Sequence, residues 1–266
     1  MLKKKNPKIS IVIAVFKPDE KIFQKLKEKL KEQTIKAELI ENWNMPEAKS
    51  MNIGIKKAKG EIIITLAQDC IPEDKFWLEK LVSPLVQDKN IAITVSDLYL
   101  PEFYWKKYPF LTKMMTINEL EIRLPNMDSR ACAYRKKDLE KVGLFNEDPN
   151  VIGIDNDLYR KMKSLGEIIH PGVNVLHMHP LNNEKKIKLD YKYSLASGKI
   201  VRKFGVKDHA FFKRLIRATP ILGLVPILLA FPLKKYPLLF PTFLLISPIS
   251  HFVYVFGFWK GLIIKD

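Results

Sequence analysis

The 266-residue chain is long enough for one sizeable domain with a full core plus an appendage. Its formal net charge of +16 points to nucleic acid, anionic lipid or a polyanionic substrate, and where the charge sits decides between them. The two cysteines, Cys70 and Cys132, lie far apart without metal-type spacing, which argues against a disulfide framework and for a reducing, cytosol-facing compartment.

In chain order, the basic opening MLKKKNPK precedes only a short apolar run, Ile9 to Phe16, with no small-residue cleavage site after it. It reads as a first strand rather than a signal peptide. Pro18 ends that strand and Asp19 caps a helix running to about Gln33, with Ile22, Phe23, Leu26 and Leu30 at helical spacing. A short strand, Ala37 to Ile40, delivers Glu41 and Asn42 to the same edge, and Met45 to Lys59 follows as a helix. Next comes GEIIITLAQDCIPED. Ile62 to Thr65 is apolar on both faces, as a buried central strand must be, and a polar turn with Gln68 and Asp69 follows it. Ligands of open α/β sheets gather at the carboxyl ends of such strands, and a carboxylate there suits a divalent cation carrying phosphate. The plainer reading is that Asp69 caps the next helix, Lys75 to Val86. With a strand at Ile91 to Ser96, the alternation predicts an α/β fold with a mostly parallel sheet flanked by helices.

From Asp97 to Met127 the pattern loosens around Tyr99, Phe103, Tyr104, Trp105, Tyr108 and Phe110. Such a loop can grip an acceptor, touch a membrane or pack as core, and packing is the expectation. Ala131 to Arg135 is a strand and Lys136 to Lys141 a short helix. In GIDNDLYRKMKSLG, Asp155 and Asp157 open a helix, where acidic residues are also good capping chemistry. Glu167 to His179 reads as a β-pair ending in HMHP, with His177 and His179 on one face, able to hold metal or to serve structure alone. Asn183 to Phe204 is a lysine-rich helix, and Lys207 to Arg217 is basic and aromatic. Tyr236 to Trp259 is uncharged and about as long as a membrane span requires. Ala218 to Leu233, with its prolines, stays open as a tilted span, a re-entrant segment or an interfacial helix. A two-span hairpin would put Lys234 and Lys235 on the far side, against the positive-inside rule. The basic flank suits anionic headgroups and accounts for much of the charge without nucleic acid, for which no motif is present.

The landmarks ISIVIAVFKPDE, EAKSMNIGIKKAKGEIIITLAQDCIP, ACAYRKKDLEKVGLFNED, GIDNDLYRKMKSLG and VNVLHMHP occur in that order over roughly residues 8 to 180. Together this stretch resembles the inverting, nucleotide-sugar-dependent glycosyltransferases of family 2 with the GT-A fold, whose members often carry C-terminal membrane helices. The resemblance implies that Ala14, Val15, Phe16 and Glu41 meet the nucleotide, with Lys17 in place of the family's usual Asn. Asn52 and Gly54 match its Asn-x-Gly helix, which assigns Asn52 to the nucleotide site, with Lys49 and Ser50 facing the nucleotide. The family's Asp-x-Asp reads Ala67-Gln68-Asp69, leaving one carboxylate. This Gln-Asp form is similar to that of rhamnosyltransferase-like members, which bears on the donor sugar, and Gln68 is placed with the nucleotide-binding residues. Asp155 aligns with the catalytic base and His177 with the late histidine near the metal or diphosphate. The resemblance thus implies a divalent metal (Mg or Mn) on Asp69 and His177, a nucleotide-sugar donor, and a catalytic domain over residues 1–180. Composition adds basic juxtamembrane helices over 181–217 and a membrane segment over 218–266, the cysteines place the catalytic domain on the cytoplasmic side, and membrane tethering suggests a lipid-linked or glycan acceptor. The alternatives are a catalytically inactive membrane-anchored scaffold, favoured by the missing first carboxylate, and a nucleotidyltransferase, disfavoured because AVFKPDE has no Gly-rich phosphate loop.

Overall fold

The computed structural model describes residues 8–120, 129–148, 153–208 and 210–264. The chain opens with β1 (Ile9–Val15), α1 (Glu20–Lys31), β2 (Glu38–Trp43), α2 (Glu47–Lys57) and β3 (Ile62–Leu66). Then come β4 (Cys70–Pro72), α3 (Trp77–Gln87), β5 (Ile91–Val95) and β6 (Asp97–Tyr99), followed by α4 (Glu102–Trp105) and α5 (Phe110–Thr116). The middle of the chain supplies β7 (Ala131–Arg135), α6 (Lys136–Lys141), α7 (Ile154–Lys163), β8 (Glu167–Ile169) and β9 (Asn174–His177). It closes with α8 (Asn183–Phe204), α9 (Phe211–Arg217), α10 (Leu224–Leu229) and α11 (Phe240–Ile263). Two compact units result: Met1–Tyr99 with Arg123–His179, and Leu100–Ile122 with Pro180–Asp266.

The first unit is built on a six-stranded sheet of order β2-β1-β3-β7-β5-β8. β7 alone runs antiparallel to its neighbours β3 and β5; the remaining pairings are parallel. Ile63 and Ile64 of β3 are fully buried on opposite faces, the condition that a strand with no polar face demands. As expected, Asp19 caps α1, accepting from the backbone N–H groups of Lys21 and Ile22. On one face, Met51 and Ile55 of α2, Leu139 of α6 and Leu158 of α7 close a core over Val12, Ile63 and Ile93. Gly54 is needed there because a Cβ on it would meet the Val12 side chain at 2.3 Å. A second, three-stranded sheet, β4-β9-β6, lies at the carboxyl end of β3, and its central strand pairs antiparallel with β4 and parallel with β6.

Two expectations change. β2 runs on to Trp43, so Glu41 pairs with Ile13 within the strand instead of standing beyond its end. Its edge position lets a strand this polar keep pairing, since one side faces solvent. Glu167 to His179 is not a β-pair. β8 joins β5 in the large sheet, and β9 crosses to the small one after Gly172, which takes φ 72. Each strand finds a better partner elsewhere, which local alternation does not reveal.

In the second unit the aromatic insertion packs in part: Trp105, Tyr108, Met114 and Ile117 are buried with Phe231 and Phe243, whereas Phe103 and Phe110 are exposed. Buried Lys186 of α8 bonds Asp190 at 2.8 Å and Glu119 at 3.1 Å. α8 and α11 lie side by side in parallel. Ser250 donates to Asp190 at 2.9 Å, Ser194 reaches the Val253 carbonyl at 3.5 Å, and Arg202 bonds the Ile264 carbonyl. Glycines permit this approach, since a Cβ on Gly198 would meet the Phe258 carbonyl at 2.0 Å and one on Gly261 the Leu195 carbonyl at 2.1 Å. Pro237–Ile263 is long and apolar enough to cross a membrane, with mean hydropathy 1.7. Within 218–233 the helix α10 has six residues, about 9 Å of helix, which is too short to span.

Candidate active site

β3 ends at Leu66, and the turn Ala67–Asp69 leads directly into β4. Antiparallel pairing sets Cys70 opposite His177, and the Met178 N–H donates to the Asp69 carbonyl at 2.9 Å. Strand alternation buries Met178 and turns its neighbours, His177 and His179, to the other face, where Asp69 stands. His179 Nδ1 lies 2.9 Å and His177 Nε2 3.4 Å from the same carboxylate oxygen, Oδ2. The two rings stack with centroids 5.7 Å apart. Burial works against ionisation of Asp69, but hydrogen bonds to His177 and then His179 outweigh it and hold the carboxyl well below its usual range.

The antiparallel course of β7 brings its first residues to this same edge, where the Ala67 N–H donates to the Arg130 carbonyl at 2.8 Å. Arg130 Nη1 lies 3.3 Å from both ring nitrogens of His177. Its neighbour Ser129, buried, is hydrogen-bonded to Asp155 Oδ1 in the first turn of α7. Gly153, with φ 75, makes the left-handed step that starts this helix. The second acid of the motif, Asp157, is engaged by Lys161 at 2.7 Å instead. Thus Asp69 and Asp155 reach adjacent residues, Arg130 through His177 and Ser129 directly.

The residues assigned to the nucleotide divide. Gln68 clamps the ends of β1 and β3: its Oε1 accepts from the Phe16 N–H at 2.8 Å and its Nε2 donates to the Phe16 carbonyl at 3.0 Å. Val15 is buried, Ala14 half-buried and Phe16 exposed at that edge. Lys49 is exposed on α2, while Ser50 is buried and bonded to the Asn42 carbonyl. Asn52 is committed elsewhere. Its amide donates to the Phe145 carbonyl at 2.8 Å and to Glu147 at 2.7 Å, and accepts from the Phe145 N–H at 3.0 Å. It anchors the loop after α6.

His179 was visible as the face-mate of His177, but nothing local marked it as the closer of the two to Asp69. Arg130 and Ser129 gave no sequence signal, because their relevance depends on β7 running against its neighbours.

Asp69, His177 and His179 fit a divalent ion: their ligand atoms all lie within 4.8 Å of one another, and they offer one carboxylate oxygen and two imidazole nitrogens. Ala67 stands where the resemblance expects a first carboxylate, and the other two potential donors come from the end of β9 and just beyond it.

A mostly parallel sheet of this order, flanked by helices, is a GT-A fold. The sequence family described as glycosyl transferase family 2 matches residues 10–143, and the chain belongs to that family. No curated protein sequence matches the chain significantly. Among solved structures it is similar to the mannosyltransferase PcManGT from Pyrobaculum calidifontis in complex with GDP-Man and Mn2+. That similarity is 14% identity and a TM-score of 0.61 over 99% of this chain and 89% of that one. It is also similar to GalNAc-T7 with UDP, GalNAc and Mn2+, at 14% identity and a TM-score of 0.52 over 97% of this chain and 56% of the other. Both likenesses bear on fold alone.

Proposed function

We propose that this chain is a membrane-associated glycosyltransferase that moves a sugar from a nucleotide-diphosphate donor to an acceptor hydroxyl by direct displacement, inverting the anomeric carbon. The observation that carries the reading is the cluster Asp69, His177 and His179 at the carboxyl end of β3, in a family 2 domain. These residues would hold a divalent cation, which when bound would supply Lewis-acid charge at the donor diphosphate. One carboxylate with two imidazoles suits Mn2+ better than Mg2+, which prefers an all-oxygen shell. Arg130, beside His177, adds fixed positive charge where the departing nucleoside diphosphate gathers negative charge, with Lys49 as a further cation. The joined ends of β1 and β3, Ala14 to Phe16 with Gln68, bear the nucleotide, with Glu41 along β2.

Asp155 takes the acceptor's proton as the acceptor oxygen bonds the anomeric carbon and the bond to the diphosphate oxygen breaks. The Ser129 hydroxyl orients that carboxylate. The large exposed apolar surface of the second unit supports a lipid-linked acceptor at a membrane, and two buried cysteines outside any disulfide support a cytoplasmic catalytic domain.

A thermal-shift screen of GDP-, UDP- and dTDP-sugars with and without Mn2+ tests the proposal. One donor class is expected to raise the melting temperature, and to do so only with metal present. The absence of stabilisation by any donor at any metal concentration would overturn it.

A further inference from the structure

Among the described residues, 17 of the 24 exposed large hydrophobic side chains fall between Val206 and Ile264. On α11 they form one stripe: Leu245, Ile249, Phe252, Phe256, Trp259 and Ile263, between 40% and 78% exposed. Their spacing, alternating four and three residues, places them on a single helical face. The opposite face packs against the protein, where Phe243, Tyr254 and Phe258 are buried together with Ser247, His251, Gly257 and Gly261. The helix is therefore apolar on both sides, and the outward stripe is the side that the chain leaves exposed.

A helix of 24 residues, roughly 36 Å long, suffices to cross a bilayer, but its packing forbids it. From Ser250 to Ile264 it lies along α8 from Asp190 to Arg202. A spanning α11 would carry Asp190, Lys192, Lys199 and Arg202 of α8 into hydrocarbon, where such charges are strongly disfavoured. Lying in the plane of the interface, α11 buries only its outward stripe and leaves α8 in water.

The charge around the stripe says what covers it. Between residues 206 and 264 there are seven Lys or Arg and a single acidic residue, Asp208, which is buried and paired with Arg214 at 2.9 Å. α9 carries exposed Phe212 and Ile216 beside exposed Lys213 and Arg217, and it is tied to α11 by Trp259 donating to the Ala218 carbonyl at 2.9 Å. A second copy would bring like charges together, whereas an anionic membrane would neutralise them.

We infer that α9 and α11 form a monotopic membrane-docking face: α11 lies in the plane of an anionic lipid surface, its stripe among the acyl chains and the basic residues at the headgroups. This deepens the membrane association proposed above and is independent of the transfer chemistry, since lipid binding is read without any donor. It also keeps Lys234 and Lys235 on the protein's own side of the membrane.

The full chain is expected to float with phosphatidylcholine vesicles containing phosphatidylglycerol, and weakly with phosphatidylcholine alone. Phe252→Asp with Phe256→Asp should cut flotation by at least about tenfold. Lys213→Glu and Lys234→Glu should each reduce binding roughly fivefold, and should lose that effect in high salt. Because both phenylalanines are exposed, unchanged circular dichroism is expected to separate lost binding from lost folding. Orientation is read in sealed inside-out membrane vesicles from cells expressing Lys234→Cys or Lys260→Cys, against buried native Cys70 and Cys132. An impermeant maleimide should label both positions equally without detergent. Labelling of one position only after detergent means that α11 spans, and overturns the inference. So does a dimer in solution that the Phe252→Asp, Phe256→Asp change dissolves while flotation is absent.

Discussion

Ser129 and Asp155 are joined by a hydroxyl-to-carboxylate hydrogen bond that fastens the first turn of α7 to the start of β7. The next residue, Arg130, stands against His177, which in turn meets Asp69. Two acids distant in the chain are thereby attached to adjacent backbone positions, and the expected outcomes below follow from those attachments.

Asp155→Asn keeps the shape and removes the base. Turnover should fall by at least ~100-fold, while affinity for the nucleotide sugar, measured by calorimetry, stays within twofold. Ser129→Ala, which removes only the orienting hydroxyl, should lower kcat roughly tenfold with the donor KM unchanged. Near-normal turnover in Asp155→Asn would dispose of the assignment.

The metal cluster makes a separate prediction. Asp69→Asn deletes its one carboxylate and should abolish Mn2+ binding followed by electron paramagnetic resonance. His179→Ala should weaken that binding by roughly 10- to 100-fold. Mg2+ should compete with Mn2+ poorly, because two of the three donors are nitrogens. Equal affinity for the two ions would count against imidazole ligation.

Asn52 separates the resemblance from the structure. Its amide makes three hydrogen bonds to the 145–147 loop, so Asn52→Ala should cost about 2–3 kcal/mol and lower the melting temperature by roughly 4–10 °C. Nucleotide affinity should be unchanged after correction for the folded fraction. A weakened affinity at unchanged stability would restore the nucleotide role.

Lys186 gives a pH signature. Burial lowers its pKa, but Glu119 and Asp190 outweigh burial and raise it above the ordinary 10.5. A raised folded value means stability that is fully present below about 10.5 and lost as pH climbs through the folded pKa. Alkaline unfolding should therefore be steeper in the native chain than in Lys186→Met. That variant should lose roughly 3 kcal/mol at neutral pH by stranding Asp190. Chemical denaturation at a series of pH values measures both.

Much of the chain was legible in its sequence. Ile9–Val15 and Ile62–Leu66 are apolar on both faces and admit only buried strands, so the position of Asp69 at a strand's mouth followed directly. α8 came out with its predicted ends, Asn183 and Phe204, because a capping Asn182 precedes it and Gly205 follows. These features rest on near neighbours in the chain. What tertiary structure decided was which distant segments meet: that β7 runs backwards and delivers Ser129 and Arg130, that β9 leaves β8 and brings His179 onto Asp69, and that α11 gives one face to α8. Strand partner, strand direction and the choice of packed face are set by contacts across the fold, and a local hydrophobic period carries no record of them.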